Sequence, residues 1–262
     1  MTQVDPTARV ARGAELGEGV VIGPWCQVGP EVKLADGCVL DSMVLIEGCT
    51  EVGPRARFHH GAVVGTAPQD LKYSGARSSV RIGAGTVFRE YATLNRATHE
   101  GESTEVGADC LIMAYAHVAH NCILGDRVIL ANSVNLAGHI EVGDWAIIGG
   151  VTPVHQFCKI GVHAIIGGGS RVPVDVPPYV KAAGNPLRVF GLNSIGLERR
   201  GFTAEARAEL AKLYRIFFRS NLLVGEALDK IRREIPPLPE VEMFVRFIEA
   251  SERGLARPGK RG

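Results

Sequence analysis

Six of the eight histidines, His99, His117, His120, His139, His155 and His163, fall in one stretch of the chain. A neutral imidazole can take a proton from an attacking hydroxyl, and a nearby backbone N–H can hold the oxyanion that results. Spacing sorts these residues. Positions 120, 138 and 156 are 18 apart, so in a coil of 18 residues His120, Gly138 and Gln156 form one column. Asn121 and His139 form the adjacent column, and His117, three residues before His120, projects near the same corner. Glycine is the residue that lets a substrate come close to a backbone N–H. His163 stands beside no other chemistry-bearing group and is expected to be a solvated surface residue. No Ser-His-Asp arrangement is evident, and proton abstraction needs no covalent nucleophile. Histidine clusters also bind zinc, and spacing alone leaves that use open.

The elements that must position these residues repeat every six positions. An aliphatic residue returns at that interval from Val106 through Ile112, Val118, Leu124, Leu130 and Leu136 to Val172. Four places after each stands a small or compact residue, such as Cys110, Ala116, Cys122 or Ala146. A period of six fits neither an amphipathic helix nor an alternating strand, and it matches the hexapeptide repeat of a parallel β-helix. Three faces of six residues make the 18-residue coil, and successive coils stack about 4.8 Å apart. The register starts at Val4 and runs to roughly Pro177, with breaks near 66–79 and 96–105. Both breaks preserve the count modulo six, so each reads as a loop extruded between intact faces. Gly, Asn and Asp are expected to supply the positive φ of the corners.

Composition agrees with this scaffold and excludes several functions. Thirty-two glycines and only 6% aromatics suit tight corners and thin walls better than a layered core. A net charge of +1 argues against a nucleic-acid-binding field. The N-terminus lacks the cationic start and apolar core of a secretory signal, and no apolar run reaches the ~18 residues of a membrane span. Five cysteines, Cys26, Cys38, Cys110, Cys122 and Cys158, occupy the small-residue slot and read as buried hydrophobes in a reduced, cytoplasmic protein.

The pattern changes after residue 185, so the expected division is a β-helix over 1–185 and a helical domain over 186–262. Helices are expected over 204–219, with Thr203 as N-cap, and over 223–234 and 241–252. The second segment holds 15 Lys and Arg against 10 Asp and Glu, a net of +5. Arg199, Arg200, Arg207 and Lys212 are its candidate steering charges, and the tail from Arg257 to Arg261 is expected to fray.

Six motifs now stand in order: Pro68-Gln69-Asp70-Leu71-Lys72-Tyr73, Ala116-His117-Val118-Ala119-His120-Asn121-Cys122, Leu130-Ala131-Asn132, Leu136-Ala137-Gly138-His139, Val154-His155-Gln156-Phe157-Cys158, and Asp175-Val176-Pro177-Pro178-Tyr179-Val180. A seventh, from Gly196 to Phe202, lies in the tail. Together they resemble the acyl-[acyl-carrier-protein]–UDP-N-acetylglucosamine O-acyltransferases of lipid A biosynthesis, over nearly the whole chain. The resemblance implies a left-handed β-helix, against the usual right-handed crossover. It also implies a homotrimer with active sites in the clefts between subunits, and neither a metal nor a cofactor.

In that family the 3-hydroxyl of UDP-N-acetylglucosamine attacks a (3R)-hydroxyacyl thioester on acyl carrier protein. By resemblance His120 is the general base and Gly138 the oxyanion donor, while Asp70 and Lys72 hold the sugar. His117, His139, His155 and Gln156 line the cleft, and Asn193 and Arg199 contact the nucleotide. Gly168 takes the place of the acyl-chain ruler. It lies 48 residues beyond His120, roughly 13 Å along the axis, so a blocking side chain there would stop an extended chain near ten carbons, and glycine leaves room for about 12–14. Two positions depart: Asn121 stands where members often carry Asp, and Asn95 where many carry His.

Other readings compete. A γ-carbonic-anhydrase-like zinc lyase would need three histidine ligands at one cleft, and has no use for the Gln69–Tyr73 motif. A purely structural rod would have flat repetitive faces, without extruded loops or a histidine corner. The N-acyltransferase two steps later in the same pathway typically adds an N-terminal domain, whereas here the repeats begin at Val4.

Overall fold

The computed structural model describes residues 1–259, and over most of that length the chain winds as a left-handed parallel β-helix with three faces. The first face begins with Gln3–Val4 and holds eleven strands; the second begins with Arg9–Val10 and the third with Glu15–Leu16, and each holds eight. The register follows the 18-residue arithmetic: His117 pairs with Asn135, Ile112 with Leu130, and Leu124 with Val142. The every-sixth aliphatics point inward and are fully buried, as at Ile112, Leu130 and Ile148. Each such side chain contributes about 1.5–3 kcal/mol by leaving water. The small slot fills the space between them, with Cys110, Ala116, Cys122 and Ala146 at most 1% exposed.

The corners differ from expectation. Fifteen non-glycine residues among those described have positive φ, including Trp25, Tyr91, Tyr115, Trp145, Val151 and Phe157. Local preference for Gly, Asn or Asp is overridden by the coil below. Most of these corner N–H groups are clamped to a carbonyl of the preceding rung, as Tyr115 to Glu90 (3.0 Å), His139 to His120 (3.1 Å) and Trp145 to Asp126 (2.9 Å), while Trp25 and Asn121 donate to threonine hydroxyls instead. The left-handed conformation costs about 1–2 kcal/mol per residue, and the repeated clamp holds it. In consequence large side chains project from the edges of the prism.

Both extruded loops emerge at the same edge, between the second and third faces. Six residues normally separate the inward aliphatics of these faces, but eighteen separate Val64 from Ile82 and twelve separate Leu94 from Val106. That edge, one coil further on, carries His120.

The sheet does not stop at residue 185. Val180–Ala183 adds to the first face in parallel, and Arg188–Leu192 returns antiparallel to it, so the expected boundary cuts a hairpin turning through Gly184-Asn185-Pro186. Four helices follow: α1 (Ser194–Arg199), α2 (Ala204–Arg219), α3 (Val224–Glu234) and α4 (Pro239–Glu249). Helix α1 is too short to show a sequence period. Thr203 caps α2 by accepting from the Ala206 N–H at 3.1 Å, as expected. Leu223 proves to be the N-cap of α3 rather than its first residue. Helix α4 starts two residues early because Pro239 occupies N1, where a missing N–H costs nothing. It ends at Glu249 rather than 252. Phe217, Phe218 and Phe244 form the aromatic core of this domain.

The tail is anchored at Arg257, not frayed. Its carbonyl accepts from the Val189 N–H at 3.0 Å, and its guanidinium lies 4.9 Å from the Phe217 ring centre. Lys260 and Arg261 lie outside the described residues.

Candidate functional site

The inward alternation of the second face turns Val118 into the core and lifts His117 and His120 outward around the corner. His120 is mostly covered, with 13% of its side chain exposed. Its Nδ1 lies 2.8 Å from the Thr98 hydroxyl and 2.9 Å from Asn121 Oδ1. Its Nε2 faces Asp70 Oδ2 at 4.0 Å. One rung up, Gly138 sits directly against the ring: a Cβ at 138 would stand 2.5 Å from Cε1 and 2.6 Å from Nε2 of His120. The Gly138 carbonyl accepts from Phe157, whereas its N–H donates to no group of the chain among the described residues. The edge therefore presents a proton acceptor and an unpaired backbone donor side by side.

The flanking groups fix this geometry. His139 meets His120 edge to face at 5.2 Å and stacks on Phe157 at 4.7 Å. Its pKa is lowered, first by burial and then by His120. His117 Nδ1 is 2.7 Å from the Thr93 hydroxyl; burial, then His120, lowers its pKa as well. Asp70 comes from the first loop, where the Lys72 N–H donates to its Oδ1 at 2.9 Å and holds its pKa low. The Lys72 side chain is exposed beside it. That loop is closed by Arg96, which reaches the Tyr73 hydroxyl at 2.9 Å and the Gly65 carbonyl at 2.8 Å. Asn95 is buried; its Nδ2 donates to Thr66 Oγ1 at 2.9 Å, and its Oδ1 has no partner among the described residues.

His155 and Gln156 continue the same edge and are exposed, with His155 Nδ1 3.1 Å from Arg253. The structure thus brings His117, His120, Gly138, His139 and Gln156, expected together from spacing, and His155 and Asp70, expected from the resemblance, to one edge. Spacing missed Thr98, Glu102 and Phe157. The signal for Thr98 and Glu102 was the loop phase: both breaks fall on the edge that carries His120, so their residues had to meet it.

Gly168, Asn193 and Arg199 lie elsewhere. Gly168 is at the edge between the first and second faces, above Gly150, whose carbonyl a Cβ at 168 would meet at 3.1 Å. The positive φ of that corner falls on Gly169, so no backbone demand keeps 168 a glycine. Asn193 is 2% exposed and caps α1: its Oδ1 accepts from Gly196 N–H and its Nδ2 donates to the His163 carbonyl at 2.9 Å. Arg199, at the end of α1, is exposed.

His163 is not the solvated residue expected. It lies between Trp145 (6.2 Å) and Tyr179 (5.9 Å), edge-on to Phe202 (4.9 Å), with Arg200 Nη1 3.2 Å from its Nδ1. Burial, then the Arg200 charge, pushes its pKa down to about 4. The unfolded chain takes up this proton near pH 6.5, so the fold loses stability as pH falls from about 6.5 towards 4. His163→Phe should flatten the drop in melting temperature over that range; an unchanged slope would assign the drop to other groups.

Arg200 also faces the Trp145 ring at 4.9 Å, Arg207 pairs with Glu198 at 3.1 Å, and Lys212 bonds the Glu234 carbonyl. Of the four candidate steering charges only Arg199 stands clear.

Among the described residues, no three His, Cys, Asp or Glu side chains gather as a metal site, and no helix is long and apolar enough to cross a membrane. Residues 175–256 match the family model described as UDP N-acetylglucosamine O-acyltransferase, domain 2, and residues 103–138 match the bacterial transferase hexapeptide. An acyl-[acyl-carrier-protein]–UDP-N-acetylglucosamine O-acyltransferase from Thiobacillus denitrificans is 50% identical over 98% of this chain and 100% of its own. The protein of that name from Alkalilimnicola ehrlichii is 52% identical with the same coverage. The crystal structure of a UDP-N-acetylglucosamine acyltransferase from Bacteroides fragilis superposes with a TM-score of 0.94 at 38% identity, covering 97% of this chain and 100% of that one. The Francisella novicida enzyme gives 0.93 at 34%, covering 98% and 95%. Half of its residues and the whole of its architecture are thus shared with enzymes of one kind, and the chain belongs to the family of acyl-[acyl-carrier-protein]–UDP-N-acetylglucosamine O-acyltransferases.

Proposed function

We propose that this chain transfers a (3R)-hydroxyacyl group from acyl carrier protein to the 3-position of UDP-N-acetylglucosamine, the first step of lipid A biosynthesis. The observation that carries the chemistry is His120 lying in contact with Gly138, whose N–H is unpaired among the described residues. His120 Nε2 takes the proton of the sugar 3-hydroxyl as its oxygen adds to the thioester carbonyl. The Gly138 N–H holds the oxyanion so formed. On collapse the C–S bond breaks, and the proton returns from His120 to the departing carrier thiolate. Asp70 and Lys72 orient the sugar, and His117, His139, His155 and Gln156 wall the cleft.

The working form is a homotrimer. An apolar row of exposed side chains, Trp25, Met43, Tyr91, Tyr115 and Val151, follows the edge between the first and second faces, a surface suited to burial between subunits. Arg199, on the helix capped by Asn193, lies near the edge between the third and first faces, away from His120. In a trimer these edges from neighbouring chains share one cleft, and α1 then brings Arg199 to the nucleotide. The net charge of +5 on the second segment is the proposed attraction for the acidic carrier protein. All six cysteines are free thiols, in keeping with a cytoplasmic enzyme.

The test is turnover of purified protein with UDP-N-acetylglucosamine, its 3-amino analogue, and a panel of 3-hydroxyacyl carrier proteins. Transfer to neither sugar overturns the proposal. Chain length is read in the same assay: wild type should prefer about 12–14 carbons, and Gly168→Met should shift this towards ten by filling the groove. Unchanged preference at undiminished rate would remove the ruler from this residue.

A further inference from the structure

We infer that Glu102 is a positioning residue for His120, presenting through the Asn121 amide the negative charge that the protonated imidazole requires. The inference rests on His120 as the general base. The orientation of the Asn121 amide is settled by its neighbours: the Thr98 N–H points at one terminal atom (3.1 Å), which must be Oδ1. The Glu102 carboxylate lies 2.6 Å from the other, which must be the donating Nδ2. Oδ1 also faces His120 Nδ1 at 2.9 Å. An amide oxygen has no proton to give and would repel an Nδ1 lone pair held against it, so Nδ1 carries the hydrogen, the Thr98 hydroxyl at 2.8 Å serves it as a second acceptor, and Nε2 keeps the lone pair. The backbone holds Asn121 in place, with φ +60 and its N–H on Thr104 Oγ1 at 2.8 Å.

Hydrogen-bonded amides polarise one another in series, and a charged acceptor strengthens the bond it receives. As His120 takes the proton, the Glu102 charge stabilises the imidazolium through one intervening amide. The carboxylate thus stands one residue beyond the amide, on the second extruded loop. A carboxylate at 121 beside Glu102 would place two like charges at hydrogen-bond distance.

The experiment is a charge relocation in the intact enzyme. Glu102→Gln keeps an acceptor for the Asn121 amide and removes the charge. It should lower kcat about tenfold, the scale of one screened charge at this range, with KM for UDP-N-acetylglucosamine within about twofold of wild type. Long-range nitrogen–proton spectra should still show His120 protonated at Nδ1. Asn121→Asp alone should also lose activity. The double variant Glu102→Gln with Asn121→Asp should regain most of the wild-type kcat, a rescue that a merely structural Glu102 would not produce. Wild-type kcat in Glu102→Gln, or a double variant no better than it, overturns the inference. His120→Ala separates the two levels: if it retains turnover the base assignment fails, and if it is inactive while Glu102→Gln is normal, only the role of Glu102 fails.

Discussion

His120→Ala is expected to lower kcat by about two to four decades, the range ascribed to a positioned general base, while UDP-N-acetylglucosamine still binds. The substitution removes the imidazole nitrogen that faces Asp70 at 4.0 Å, Nε2, and leaves Asp70 and the loop that holds it intact. Folding should survive, because His120 lies outside the packed aliphatic columns and its backbone carbonyl still receives the His139 N–H. Steady-state kinetics and calorimetric titration with the nucleotide sugar separate the two effects. Near-wild-type turnover in a folded variant would remove His120 from the chemistry.

Gly138→Ala should be nearly as damaging for a purely geometric reason. The added methyl would stand 2.5–2.6 Å from two ring atoms of His120, well inside contact distance, so the imidazole must leave its place. Displacement of a reacting group by about 1 Å can cost on the order of a hundredfold in rate, and a loss of that size in kcat is expected. Position 138 does not have positive φ, so the cost is not one of backbone strain. The two changes should not add. Once His120 is alanine the methyl has room, and the double variant should match His120→Ala closely. Full activity of Gly138→Ala, or strict additivity, would show that the ring and the glycine are not in register.

The fold was legible because a six-residue period has a single physical solution, and the columns it predicted carry His120, Gly138 and Gln156. What escaped was set by contacts distant in sequence. The surroundings of His163 depend on Asn193 and Arg200, thirty or more positions away, and no local pattern announces a docked helix. The aromatic corners escaped because residue preference favours glycine there, whereas hydrogen bonds from the rung below decide the conformation. Thr98 and Glu102 lie in a loop outside the repeat, so the period says nothing of their side chains. The Asn121 side chain itself brings no charge to His120. Only the three-dimensional arrangement shows a carboxylate one amide away.

The column of Asn132, Gly150 and Gly168 gives the scaffold the character of a graduated scale. Its divisions are coils, about 4.8 Å apart, and an extended acyl chain covers that distance in about four carbons of roughly 1.25 Å each. With the acyl chain lying along this edge as proposed, a stop moved from one coil to the next changes the permitted chain in coarse steps of about four carbons. Intermediate lengths must be set by the reach of the side chain standing at a division, because backbone cannot be placed between rungs. Length selection on such a prism is digital in position and analogue only in side-chain size.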